Sequence, residues 1–158
     1  MKKLLVLTLF MTFLGFMGAF AQAKKMPQFS FDDLKGGTFA STSLKAGLPT
    51  IVFFFDPFCD HCEQQAKWIA ADAAKFKNVN LVWVSTEDVN AISKFKSTHF
   101  AKAGLDKLHF LKDSKYRFDG YFGYSEALSM YVFNKAGVQV KALKKETPAA
   151  ELLKAAGL

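Results

Sequence analysis

The chain has 158 residues and is 51% hydrophobic, with 18 Phe, so it can form one domain with a sizeable apolar core. Its 21 Lys and Arg residues outnumber 14 Asp and Glu residues, which gives a formal net charge of +7. Only one of these basic residues is Arg, Arg117, and Arg is the side chain that best recognises phosphates and base edges. The composition therefore argues against specific nucleic-acid binding, and no nucleic-acid partner is expected.

The N-terminus has the pattern of a secretory signal peptide. Lys2 and Lys3 form a short positive region, the apolar run Leu4–Phe20 follows it, and Ala19–Ala21 fits the small-residue cleavage pattern. An uncleaved membrane anchor stays open as an alternative, because the run is near the ~17 residues that a spanning helix needs. Either way, we predict a periplasmic or otherwise extracytoplasmic protein, in contact with a membrane only if the leader is uncleaved.

The rest of the chain is expected to form a single domain. We assign residues 1–21 to the signal peptide, 22–28 to a linker and 29–158 to the domain. Two short β-strands begin it: Phe29–Phe31, an expected edge strand, and Thr38–Ala40.

A strongly apolar strand, Ile51–Phe55, is the central element of the predicted domain. All five of its residues are β-branched or aromatic, which indicates a strand buried on both faces. Pro57 ends this strand, because proline has no N–H to give to a sheet. A predicted helix from Cys59 to about Phe76 follows.

The next elements alternate between strands and helices. Val79–Ser85 is a β-prone strand, and Thr86–Asp88 is expected to cap a helix from Val89 to about Ala101. Leu108–Leu111 is the next short strand. This alternation with short connections predicts parallel strands joined by right-handed crossovers.

A β-hairpin and a helix are predicted to close the domain. The strands Leu128–Phe133 and Val138–Ala142 flank the turn Asn134–Gly137. Thr147 is the predicted N-cap of the last helix, and Pro148 is its predicted first residue.

The only two cysteines, Cys59 and Cys62, lie three positions apart where the central strand gives way to the first helix. Positions i and i+3 face the same side of a helix, so the two sulfurs can bond. The unpaired N–H groups and the dipole at the helix start stabilise a thiolate on Cys59. Cys59 is therefore the expected catalytic nucleophile and Cys62 the resolving thiol of a redox-active pair. A structural disulfide and half of a zinc site are the alternative interpretations.

The segment Phe54–Cys62 resembles the active-site segment of the thioredoxin superfamily, and most of all that of the extracytoplasmic TlpA/ResA-like proteins. Phe58 matches the aromatic residue that precedes the first cysteine in that family. The resemblance covers Phe29 to Leu158. It implies an α/β thioredoxin-like fold with a central mixed β-sheet flanked by helices and an N-terminal β-hairpin extension. It also implies thiol–disulfide oxidoreductase activity without an organic cofactor.

Two positions depart from the family pattern. The cis-proline that faces the active site in the family falls at Leu128, so Leu128 and Ser129 form the expected substrate-facing loop. The bond before Leu128 is then either trans, with altered substrate pairing, or strained in cis. In the family that proline also keeps metal away from the thiolates, so its absence favours the metal-binding alternative. Some relatives have a buried acid at the position that Phe53 occupies here. Asp56 or Glu63 is therefore left to accept the proton of the resolving thiol.

The two residues between the cysteines are expected to tune the redox pair. A protonated His61 would stabilise the Cys59 thiolate and make the disulfide more oxidising, whereas the charge of Asp60 opposes this effect. The net sign stays open, and an exposed polar side chain is the alternative for His61. The aromatic cluster of residues 116–124 is expected to pack in the core, with a substrate groove as the alternative.

We predict an exported thiol–disulfide oxidoreductase that uses Cys59 and Cys62. Its expected partners are proteins with disulfides or thiols and a membrane or exported electron donor. The alternatives are a copper or iron–sulfur protein that uses the cysteine pair, and a binding module with idle cysteines. The resemblance to TlpA-like proteins implies that it reduces the cysteines of exported proteins or keeps them reduced. The residues alone leave the direction of electron flow open.

Overall fold

The computed structural model describes residues 24–158, and the predicted signal peptide, residues 1–21, lies outside them. In the described part, no helix is long and apolar enough to cross a membrane. Its strands are β1 (Ser30–Asp33), β2 (Thr38–Ala40), β3 (Thr50–Phe54), β4 (Asn80–Ser85), β5 (Leu108–Lys112), β6 (Ser129–Phe133) and β7 (Gln139–Leu143). Its α-helices are α1 (Asp60–Ala71), α2 (Val89–Phe100), α3 (Phe118–Phe122) and α4 (Ala149–Ala156).

The strands form one mixed sheet in the order β2-β1-β5-β4-β3-β6-β7. β3, β4 and β5 run parallel to one another, and β6 lies antiparallel to β3. β6 and β7 form the C-terminal hairpin, and the β1–β2 hairpin extends the sheet beyond β5. This topology confirms the predicted α/β thioredoxin-like fold with its N-terminal hairpin extension.

The prediction that the first strand lies at the sheet edge is wrong. β1 lies between β2 and β5, where Phe31 pairs with Phe39 and Asp32 pairs with Lys112. The edge strand on this side of the sheet is instead β2, which is only three residues long and so leaves few unpaired backbone groups. An alternating apolar pattern indicates that one face of a strand is buried, but it does not reveal how many neighbours the strand has.

β3 is apolar on both faces because the sheet is covered on both sides. Phe53 belongs to the cluster under α1, α2 and α4, where its ring stacks on Trp83 with 4.2 Å between ring centroids. Val52 belongs to the opposite cluster, together with Phe31 from the N-terminal hairpin and Phe118 from α3. The central strand, and with it the turn that carries the cysteines, is therefore held rigidly from two sides.

The two predicted helix caps have different outcomes. Asp88 caps α2 as predicted, and its Oδ1 accepts hydrogen bonds from two amides of the first turn at 2.8 and 3.0 Å. The prediction of Thr147 as the cap of α4 is wrong by one residue, because Pro148 is the N-cap. The backbone of Thr147 is instead engaged by the side chain of Gln65, which donates to its carbonyl and accepts from its amide.

The start of the described chain lies against the turn of the C-terminal hairpin. The Met26 amide donates to the Gly137 carbonyl at 2.8 Å, and the Gln139 amide donates to the Lys24 carbonyl at 2.7 Å. Part of the segment assigned to a linker, residues 22–28, is thus held on this hairpin.

Replacing Phe53 with Ala is expected to lower the free energy of unfolding by about 3–5 kcal/mol, because it leaves a cavity beside the Trp83 ring. Urea unfolding followed by circular dichroism measures this loss. Phe58→Ala is the matched control: this side chain is 74% exposed, so its removal is expected to change stability by less than about 0.5 kcal/mol. Equal losses in the two variants would contradict the two-sided burial of β3.

Candidate active site

A tight turn connects β3 to α1 and presents Cys59 at the helix start. The Asp56 Oδ1 atom accepts a hydrogen bond from the Phe58 amide at 2.8 Å, and the Asp56 carbonyl accepts one from the Cys59 amide at 3.2 Å. Cys59 is the N-cap of α1, with extended backbone angles, and its carbonyl accepts from the Glu63 amide at 3.0 Å. The Asp-Pro turn therefore places the first cysteine next to the unpaired N–H groups of the first helical turn.

The structure brings the two thiols together with unequal access to solvent. Both cysteines are free thiols, and they lie close enough for Cys59 to raise the pKa of Cys62. Cys59 is partly exposed, whereas Cys62 lies inside the helix and has no exposed surface. Only Cys59 can therefore meet a large partner directly, and Cys62 can react only with a group that is already bonded to Cys59.

Burial raises the pKa of the Cys62 thiol far above that of an ordinary thiol. A backbone hydrogen bond from Asp56 offsets part of this effect, whereas the hydrogen bond and charge of Cys59 and the charge of Asp56 add to it. Cys62 is therefore held as a neutral thiol, and it must lose its proton before it can attack a disulfide.

The sequence analysis names Asp56 and Glu63 as possible acceptors of this proton, and only Asp56 affects the pKa of Cys62. The charge of Asp56 acts on the pKa of Cys62, whereas Glu63 pairs with Lys67 at 3.3 Å on the surface of α1. Phe53, at the position of the family's buried acid, has no exposed surface and packs on an indole ring.

The residues between the cysteines, Asp60 and His61, are both exposed at the helix start. His61 has a partner that the sequence analysis missed: its Nδ1 atom lies 3.0 Å from Oε2 of Glu146. A hydrogen bond from the backbone amide of Glu146 itself holds the pKa of this carboxyl below its usual value, and His61 adds to that effect. Within the described residues, no hydrogen bond joins His61 to Cys59. No local sequence signal could reveal this pair, because its members come from distant segments.

The loop at Leu128 lies at the same end of the sheet as the cysteines, because Ser129 pairs with Phe54, the last residue of β3. Residues 24–158 contain no cis peptide bond, so the bond before Leu128 is trans, which was one of the two alternatives. Leu128 is buried in the core. The Ser129 hydroxyl donates to the Glu126 carbonyl at 2.8 Å and accepts from the Glu126 amide at 3.1 Å. The hydroxyl thus closes the loop where the family has a proline.

The aromatic residues of the cluster 116–124 differ in burial, and Tyr121 is half-buried. Phe118 and Phe122 are buried and pack on each other with 4.6 Å between centroids, as the core-packing interpretation predicted. Tyr116 and Tyr124 are exposed.

The histidines outside the motif pack on rings. His99 lies 4.6 Å from the Phe95 ring and His109 lies 4.5 Å from the Phe39 ring, and burial lowers the pKa of both. Among the side chains of residues 24–158, no group of three or more His, Cys, Asp or Glu residues could hold a metal ion.

The sequence model of the AhpC/TSA family matches residues 23–142, and the chain belongs to this family. This membership confirms the predicted thioredoxin-superfamily relationship and the predicted oxidoreductase class. None of the curated proteins matches the chain.

Several solved structures share the fold. DsbF of Mycobacterium tuberculosis is 23% identical, with a TM-score of 0.70 over 86% of this chain and 98% of that chain. A secreted disulfide oxidoreductase of the same organism is 24% identical, with a TM-score of 0.66 over 82% and 95%. The peroxidoxin BcpB, also from M. tuberculosis, is 18% identical, with a TM-score of 0.69 over 85% and 95%. At these identities, the likeness establishes the fold.

The reduced protein is expected to lose stability as pH rises above 9.0, the ordinary thiol value. In that range the unfolded chain releases the Cys62 proton while the folded chain retains it, so the slope is about −1.4 kcal/mol per pH unit. Urea unfolding of the reduced protein between pH 8 and pH 10 measures this slope. Cys62→Ser has no thiol to titrate at this position and is the control. An identical slope in both proteins would contradict the burial of a neutral Cys62 thiol.

Proposed function

We propose that this protein is an exported thiol–disulfide oxidoreductase that exchanges disulfides through Cys59 and Cys62. The observation that carries the proposal is the pairing of an accessible cysteine at a helix N-cap with a fully buried cysteine one turn later. This arrangement separates the two chemical roles, because the Cys59 sulfur is accessible to a substrate and the Cys62 sulfur is buried.

In the reducing direction, the Cys59 thiolate attacks one sulfur of a substrate disulfide. The substrate S–S bond breaks, a Cys59–substrate bond forms, and the other substrate sulfur leaves as a thiolate and takes up a proton. Cys62 then gives up its proton and attacks the Cys59 sulfur, which releases the second substrate thiol. Two protein thiols become one disulfide, and one substrate disulfide becomes two thiols, so two electrons are transferred.

We propose that Asp56 accepts the proton of Cys62 during the second step. Its charge acts on Cys62 in the resting protein, and its carbonyl and carboxylate already fix the turn before Cys59. A carboxylate close to a buried thiol is a suitable acceptor, because formation of the mixed disulfide removes the neighbouring thiol that opposes ionisation.

The location and partners belong to the same proposal. The leader at residues 1–21 is assigned as a signal peptide, so the substrates would be exported proteins with disulfides or thiols. After each reducing cycle the Cys59–Cys62 disulfide needs two electrons, which a membrane or exported donor would supply. One protein of similar fold is a secreted disulfide oxidoreductase, which supports this location.

Cys62→Ser is expected to accumulate mixed disulfides through Cys59, because the resolving sulfur is gone. Insulin, as a disulfide-bearing probe, and an extract of exported proteins supply the targets, and non-reducing gels with mass spectrometry detect the adducts. Cys59→Ser is the matched control and is expected to trap nothing, since Cys62 is inaccessible. Absence of adducts with Cys62→Ser from both targets would contradict the proposed function.

Ser129→Ala removes the hydroxyl that closes the loop beside the cysteines. Loss of its two hydrogen bonds is expected to cost about 1–3 kcal/mol of stability. We also expect kcat/KM for insulin reduction to fall, because the buried Ser129 side chain holds the loop backbone that is proposed to face the substrate.

Ser129→Thr keeps a hydroxyl and is the control for this substitution, with activity close to that of the parent protein. If Ser129→Ala loses stability but keeps its full kcat/KM, the loop does not face the substrate.

A further inference from the structure

The loop that precedes α4 is anchored on α1 by a buried side chain. Gln65 has no exposed surface; its Nε2 donates to the Thr147 carbonyl at 3.0 Å and its Oε1 accepts from the Thr147 amide at 2.8 Å. Thr147 is itself buried. A bidentate bond of this kind fixes both the distance and the orientation of the loop backbone relative to the helix that carries the cysteines.

The anchored loop presents Glu146 to His61. Positions four apart lie on the same side of a helix, so His61 and Gln65 both face this loop. Glu146 is the residue immediately before Thr147, and its Oε2 atom lies 3.0 Å from Nδ1 of His61. The carboxylate is thus presented to the imidazole by a backbone that is hydrogen-bonded to α1.

This contact determines what His61 can do for the redox pair. With its Nδ1 atom 3.0 Å from Oε2 of Glu146, the imidazole is oriented toward the loop, and within the described part of the chain it makes no hydrogen bond to either cysteine. Any positive charge on the ring is balanced by the carboxylate at contact distance. Asp60, which is next to His61 on α1, is also negative. The positive charge of Lys145 acts on Glu146. His61 therefore contributes little stabilisation to a thiolate on Cys59.

We propose that Glu146 is a positioning residue that holds His61 away from the Cys59 sulfur and so makes the Cys59–Cys62 disulfide less oxidising. The inference rests on the proposed function and deepens it: a less oxidising pair is better suited to reducing substrate disulfides than to making them. When the Glu146 carboxylate is replaced by a neutral amide, its contact with the imidazole loses the charge that strengthens it. The imidazole can then turn toward Cys59, where its N–H stabilises the thiolate and favours the reduced form.

The exchange with glutathione measures this effect directly. One protein disulfide and two glutathione thiols become two protein thiols and one glutathione disulfide, so atoms and electrons balance without a further reactant. The purified protein, Glu146→Gln, His61→Asn and the double variant are equilibrated with glutathione mixtures at pH 7. Alkylation of free thiols followed by mass spectrometry gives the reduced fraction of each protein.

Glu146→Gln is expected to shift the equilibrium constant toward the reduced protein by about tenfold, which corresponds to about 30 mV for a two-electron couple. In the His61→Asn background the same substitution is expected to change the constant less than twofold, because the imidazole that Glu146 restrains is absent. A shift of equal size in both backgrounds, or no shift in either, would overturn the inference.

Two controls separate this outcome from loss of structure. Glu151→Gln removes a carboxylate of the same type from the first turn of α4 and is expected to change the equilibrium less than twofold. Gln65→Leu keeps Glu146 but releases its anchor, and we expect it to shift the equilibrium in the same direction as Glu146→Gln. Circular dichroism establishes that each variant is folded. If folded Gln65→Leu has the same equilibrium constant with glutathione as the parent protein, the contact between Gln65 and the loop does not position Glu146.

The failure of the inference is distinguishable from the failure of the proposed function. A wild-type protein that never forms the Cys59–Cys62 disulfide at any glutathione ratio would overturn both. A wild-type protein with a normal midpoint whose Glu146→Gln variant has the same midpoint would overturn only the role of Glu146.

Discussion

The burial of the Cys62 sulfur beneath the Cys59 sulfur is the constraint on which the site depends. It requires a rigid strand that ends at a fixed point, a turn that exposes one residue, and a helix that points its next turn into the core. The Phe53–Trp83 stack and the apolar packing on both faces of the sheet provide the rigid strand. The Asp56 hydrogen bonds provide the turn. Because the Cys62 thiol is neutral and buried, Cys59 must react with a partner before Cys62 can react.

The parts of this arrangement that local chemistry determines could be predicted from the sequence. Five β-branched or aromatic residues in a row indicate a strand covered on both faces, and a proline after them indicates where it stops. The strand–helix alternation indicates parallel pairing, and Asp88 has the side chain that an N-cap needs. The relationship to thioredoxins follows from the placement of Cys59 and Cys62 between that strand and a helix.

The parts that depend on distant segments could not be predicted. Thr147 has the side chain of a helix cap, yet its backbone is bonded to Gln65, and α4 therefore begins after Pro148. A glutamine inside a helix carries no signal of its partner, and neither does the Glu146 that this contact delivers to His61. The edge assignment of β1 failed for the same reason: pairing with β5 is a property of the whole sheet.

The most direct test of the account is a redox titration of the purified protein that counts the electrons exchanged by its thiols. A cooperative disulfide between Cys59 and Cys62 predicts one midpoint and a two-electron slope, with about 30 mV for each tenfold change in the ratio of oxidised to reduced protein. Both thiols should disappear together. Two independent one-thiol transitions, or thiols that stay reduced because a stoichiometric metal ion occupies them, would contradict the account.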